Sequence, residues 1–185
     1  MPLLRLLSLT LAGSLLATSA FAASPAPAAL APLLSSINER LAIADQVALS
    51  KWDSHKAVED RPRERDVIAG AVALAPSYKL DTTQVEQFFS AQIEANKLVQ
   101  YAHLSDWTLA GKAPNDPRPD LVGQIRPKLD VLQKSLLQQF AEFTPYRTAS
   151  ECSHWLAEAN QNAKSDALHH LALVRATAEL CQPKG

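Results

Sequence analysis

Apolar side chains recur at helical spacing along most of the chain. Between Ala28 and Lys56 they fall at Leu30, Leu33, Leu34, Ile37, Leu41, Ile43, Ala44, Val47 and Ala48, the three- and four-residue steps that put one stripe on one face of a helix. A second helix is predicted to open near Pro62, a residue suited to a first turn, and to run through Val67 and Val72 to about Ala75. The run Asp81-Thr82-Thr83 is a cap signal for a third, whose apolar positions are Val85, Phe88, Phe89, Ile93 and Val99 and whose end lies near Ala110. Gly111 and the Pro-rich stretch from Ala113 to Pro119 break the chain; a fourth helix is expected from about Asp120 to Phe143. Residues 150–181 read as two shorter helices.

Composition agrees with this pattern. Only 5 glycines occur in 185 residues, alternating strand patterns are scarce, and Ala, Leu, Gln, Glu and Lys dominate. The expected fold class is all-α, a single-domain bundle of about six helices. The catalytic core would cover about residues 28–143 and the C-terminal helices about 150–181. The formal net charge of -1 gives no general attraction to nucleic acid or to an anionic membrane, so any bound anion needs a local cluster of cations.

The first 22 residues change the picture of where the protein works. One cation, Arg5, precedes an apolar run of Leu and Ala that ends in Ala20-Phe21-Ala22, the pattern of a secretory signal peptide cleaved after Ala22. The run is shorter than the ~20 residues that span a bilayer. A periplasmic or secreted protein is expected, with residues 23–27 as a Ser/Pro/Ala linker and no membrane contact after cleavage. In an oxidising compartment the only two cysteines, Cys152 and Cys181, are expected to pair and to staple the last helices together, stabilising the fold by roughly 3 kcal/mol. A metal pair is the alternative, but the companion CxxC or HxxxH spacing is missing.

Chemistry concentrates in three places. Arg40 and Lys51 stand eleven residues apart, three helical turns, so both face the same way roughly 16 Å apart along the axis. Taken alone, such cations snorkel to solvent or pair with acids of another helix. The charged run from Glu59 to Asp66 opens the second helix; taken alone it is a solvated first turn with local ion pairs. On the third helix Gln92, Asn96 and Gln100 recur every four residues as a polar line beside the apolar face. Amides there bond to one another or to nearby backbone, or line a site that needs hydrogen bonds without charge.

As an ordered set these features resemble the AroQ-type, all-α chorismate mutases, and most closely the secreted monofunctional subclass with its signal peptide, extra C-terminal helices and disulfide. Glu39-Arg40-Leu41, Ala44-Asp45, Val47, Lys51-Trp52 and Ser105-Asp106-Trp107 fit that subclass as well, and the resemblance spans about residues 30–181. It implies that Arg40, Lys51 and Arg63 are the basic site residues of the first two helices and that Asp60 is the acid preceding Arg63. Glu64 matches the glutamate that accepts from the substrate hydroxyl, although some secreted members lack it. Asn96 stands where the family carries a small hydroxyl residue, which leaves its role open, and Gln100 matches the position facing the ether oxygen. A further arginine comes from the fourth helix in the secreted subclass; Arg126 is the candidate and Arg118, in the Pro-rich loop, the runner-up.

The implied substrate is chorismate, a dianion with a ring hydroxyl and an enol ether, converted to prephenate by a concerted [3,3] rearrangement. That reaction requires no nucleophile, metal or cofactor, and none is expected. Catalysis would consist of holding the reactive conformer and stabilising charge on the breaking ether. The competing class is a non-catalytic helical binding or adaptor module. A helical bundle of this kind often dimerises, so a homodimer stays open. His169-His170 reads as surface or hairpin packing and Trp52, Trp107 and Trp155 as core; Tyr101, next to Gln100, reads as either core or site.

Overall fold

The computed structural model describes residues 24–182, so the signal-peptide expectation and its cleavage after Ala22 lie outside the described residues. Six α-helices follow one another: α1 (Leu30–Ser54), α2 (Arg61–Leu74), α3 (Thr82–Ala110), α4 (Arg126–Phe143), α5 (Cys152–Asn162) and α6 (Ala167–Thr177). No strand occurs among the described residues, and no helix there is long and apolar enough to cross a membrane.

The boundaries follow local chemistry. Asp81 caps α3 by accepting from the Gln84 N–H at 3.0 Å, and Gly111 closes it in the left-handed conformation, at φ 70°, which costs glycine little. Asp60 caps α2, accepting from the Arg63 N–H at 3.2 Å, while Glu64 Oε1 reaches back to the Asp60 N–H at 3.0 Å. This reciprocal arrangement satisfies two orphan donors and pins both acids at the start of the helix. α1 ends two residues before the expected limit, at Ser54, with His55 in the left-handed region. α4 also differs from the expectation: Asp120 caps a wide π turn, Leu121–Ile125, and regular α-helix begins only at Arg126. Pro127 has no N–H to reach the Gly123 carbonyl and its ring would collide with it, so the widened turn relieves both.

α3 is the central element, packed against α1 and α2 and against α6, and α4 closes over α1. Leu33, Ile37, Leu41 and Ala44 of α1 meet Val85, Phe88, Phe89 and Val99 of α3 and Leu136, Leu137 and Phe140 of α4 in one continuous buried core. Phe88 and Phe140 stack with ring centroids 4.5 Å apart. The expected disulfide is present, Cys152 to Cys181 with Cα atoms 5.8 Å apart, tying the first turn of α5 to the chain just beyond α6. Of the three tryptophans expected in the core only Trp155 is buried, its indole N–H donating to the Ser24 carbonyl at 2.7 Å. Trp52 and Trp107 are partly exposed because they sit at the ends of α1 and α3, where the rings pack edge to face on each other, 6.0 Å apart.

Candidate active site

One cavity of about 120 Å³ lies between α1, α2, α3 and the start of α4. All eight residues singled out in the sequence line it: Arg40, Lys51, Asp60, Arg63, Glu64, Asn96, Gln100 and Arg126. Val47, Val58, Val67, Ile93, Leu121 and Leu129 provide its apolar wall. Arg118 does not line it. Its guanidinium is turned to the outside, where Nε donates to Asp53 at 3.0 Å.

Arg40 and Lys51 reach the cavity from the same face of α1, three turns apart. Arg40 is only 6 % exposed, and its Nε has no hydrogen-bond partner among the described residues. Burial, and secondarily the charge of Arg63, pulls its pKa below the ordinary arginine range to about 10. Lys51 is buried as well and donates to the Ala57 carbonyl at 2.7 Å, so the loop after α1 aims it. Burial also holds the Lys51 ammonium below the ordinary lysine range; Asp60 opposes that shift, while Lys56 and Arg126 add to it. Arg63 faces Asp130 of α4 at 3.7 Å across a solvent-exposed gap.

The polar line of α3 divides. Each four-residue step advances the direction by about 40°, so Gln92 and Gln100 point roughly 80° apart. Gln92 accordingly turns to α6 and donates to the Ala176 carbonyl at 2.8 Å. Asn96 and Gln100 face the cavity, linked in a chain that starts from backbone: Asn96 Nδ2 donates to the Arg40 carbonyl at 3.2 Å, and Gln100 Nε2 donates to Asn96 Oδ1 at 2.7 Å. That chain sets the orientation of both amides. One hydrogen of the Gln100 amide is committed to Asn96; the other has only a long contact of 3.4 Å to the Asn96 carbonyl, which a better acceptor displaces. Gln100 Oε1 is buried without a partner among the described residues.

Sequence reasoning missed Lys97, which lines the cavity and pairs with Glu64 Oε2 at 3.2 Å. A signal for it existed, since Ile93, Asn96, Lys97 and Gln100 fall on the three- and four-residue steps of one helical face. Asp130 and Gln133 were also missed; they follow Arg126 by four and seven residues on α4. Tyr101 is 53 % exposed and does not line the cavity. His169 has one local and one remote partner: Nδ1 lies 2.9 Å from Asp166, three residues upstream, and Nε2 3.2 Å from Asp45 of α1, which His103 also reaches at 2.8 Å.

Charge bookkeeping around the cavity is uneven. Five cations, Arg40, Lys51, Arg63, Lys97 and Arg126, face three carboxylates, Asp60, Glu64 and Asp130, an excess of two positive charges. The described lining side chains carry no hydroxyl, thiol or imidazole. The arrangement is suited to hold a small dianion with an apolar body.

Residues 31–101, from α1 through most of α3, match the model of the family described as chorismate mutase type II. The secreted chorismate mutase of Mycobacterium tuberculosis is 33 % identical over 158 residues, covering 83 % of this chain and 78 % of that protein. The chain belongs to the chorismate mutases. The secreted chorismate mutase of Yersinia pestis is 35 % identical over 139 residues, 72 % of each chain. The crystal structure of the chorismate mutase from Burkholderia phymatum superposes with a TM-score of 0.79 at 44 % identity, covering 83 % of this chain and 96 % of that one. These similarities extend over a larger share of the chain than the family model, which ends within α3.

Proposed function

We propose that this protein is an isomerase that converts chorismate to prephenate, the step that leads toward phenylalanine and tyrosine. The observation that carries this reading is the excess of two cations around an apolar cavity that also holds two buried amides, Asn96 and Gln100. Chorismate brings two carboxylates, and the family membership supports the same substrate.

In this reading Arg40 and Arg126 each take one carboxylate through the forked guanidinium, with Arg63 in support. They hold the ring and the enolpyruvyl group in the compact conformer in which the new bond forms. Negative charge gathers on the ether oxygen as the C–O bond breaks, and Lys51 together with the free hydrogen of Gln100 donates to it. Preorganised donors aimed at a developing charge are worth ~3 kcal/mol each. Glu64 accepts from the ring hydroxyl, Asp60 orients Arg63 and Lys51, and Asn96 orients Gln100. In this reading the acting groups line the cavity before the ligand arrives, so little reorganisation would accompany the reaction.

Residues 1–22 are assigned to an export signal with cleavage after Ala22, and the mature chain to the periplasm or the medium. The relatives named as secreted and the Cys152–Cys181 disulfide support this. The test of the activity is prephenate formation from chorismate by the purified mature chain. Arg40→Ala and Lys51→Ala should each lose nearly all turnover at unchanged helicity. Full turnover in both variants would overturn the site assignment.

A further inference from the structure

Glu64 is an acid placed among cations that a dianion needs, and free to swing it would neutralise one of them. Lys51 already feels its charge. Two contacts prevent the swing. The Asp60 N–H holds Oε1 at 3.0 Å from the start of α2, and the Lys97 ammonium holds Oε2 at 3.2 Å from the middle of α3. Lys97 is itself enclosed, with 13 % of its side chain exposed, and its other partner is Glu94 at 2.7 Å on the outer side of the same helix. Burial alone would lower the Lys97 pKa, but its bonds to Glu94 and Glu64 raise it overall, so the cation persists through neutral pH.

From this geometry we infer that Lys97 is a positioning residue for substrate recognition: it pins Glu64 as a fixed hydroxyl acceptor and keeps that carboxylate off Lys51 and Arg63. Each carboxylate oxygen has two acceptor directions, so both pinned oxygens can still receive a ring hydroxyl. Lys97 is thereby spent on the protein's own acid, whereas Arg40, Lys51, Arg63 and Arg126 face the cavity, only Arg63 with a carboxylate, Asp130, within ion-pair distance among the described residues. The inference rests on the proposed chorismate mutase activity.

The test is steady-state turnover of chorismate by the full mature chain. Replacing Lys97 by Met keeps the stem and removes the charge; KM is expected to rise about tenfold, the scale of one lost charge-assisted hydrogen bond, with kcat changed less than about twofold. Lys97→Arg should restore much of the KM. In a Glu64→Ala background the Lys97→Met substitution should have no further effect on KM, because the acid it restrains is gone. Glu94→Gln leaves Lys97 wholly to Glu64 and should keep the parental KM even if the Met variant folds poorly. A Lys97→Met KM within about twofold of the parent, an undiminished effect without Glu64, or a Glu94→Gln KM raised as far as the Met variant's would each overturn the inference while leaving the activity intact. No chorismate consumption by the parent itself would overturn the functional reading, and this inference with it.

Discussion

Two buried arginines in this protein do opposite things. Arg147, 2 % exposed beside the C-terminal end of α6, has every branch of its guanidinium engaged. Nε donates to the Leu180 carbonyl at 2.9 Å, Nη2 to the Glu179 carbonyl at 2.8 Å and Nη1 to Gln84, and the plane lies over the Phe140 ring at 4.7 Å. Arg40, 6 % exposed in the wall of the cavity, leaves Nε unpartnered and faces no carboxylate within ion-pair distance among the described residues. Desolvation lowers the pKa of both, but carboxylates offset it only at Arg147, where Glu179 and Asp81 act, whereas the charge acting on Arg40 is another arginine. A buried cation with all its hydrogen bonds made is structure; one left short of them, among other cations, is a place prepared for an anion.

The largest effect should separate these two residues. Arg40→Met is expected to lower kcat/KM on the order of a hundredfold or more while leaving Tm unchanged or slightly raised, since it removes an uncompensated buried charge. Arg147→Met should do the reverse, costing about 3 kcal/mol in chemical denaturation through orphaned carbonyls, with kcat per folded molecule unchanged. Exchanged outcomes would break the comparison. On the same structural side, replacing Cys152 and Cys181 together by Ser should cost roughly 3 kcal/mol by opening the loop between them, again without loss of kcat in the folded fraction.

A smaller and sharper effect concerns pH. With Gln100 as an uncharged donor, the rate should stay nearly flat through neutral pH and fall on the alkaline side, as Lys51, held below the ordinary lysine range by burial, and Arg40 lose their protons. The sign for stability is opposite: the cost of burying charged Arg40 is fully present below about 10 and lifts as pH rises toward the ordinary arginine range, so for this residue the alkaline loss is one of activity and not of folding. Gln100→Glu must be protonated to donate to an ether oxygen, so its optimum in a pH–rate profile should move to the acid side. An unmoved profile would remove Gln100 from the breaking bond. The smallest effect is expected at Arg118, whose pair with Asp53 is partly solvated; Arg118→Ala should leave turnover within about twofold and stability within about 1 kcal/mol, whereas Arg126→Ala loses activity.

The helices and the residues of the site were legible in the sequence because both are periodic. Arg40 and Lys51 share a face by arithmetic alone, and the cap at Asp81 stands where its side chain can reach an orphan N–H group of the next turn. Lys97 escaped attention because a lone lysine on a helix usually faces solvent; only the packing of α2 on α3 brings Glu64 to it. Gln92 was grouped with Asn96 and Gln100 because steps of four look straight over one turn and drift over two. The His103–Asp45–His169 cluster joins α1, α3 and α6, a meeting that no local spacing encodes.

The amino-acid sequence by itself determined the class of fold, the limits of most helices, the pairing of the two cysteines and the family, since each depends on local propensity or on the identity of a few ordered residues. Which cations remain free was decided only by the tertiary structure. Arg118 and Arg126 differ little as residues in a chain; one is spent on Asp53 at the surface, the other lines the cavity. Whether a charge is neutralised depends on what lies within a few ångströms of it, and in a bundle those neighbours come from helices far apart in sequence.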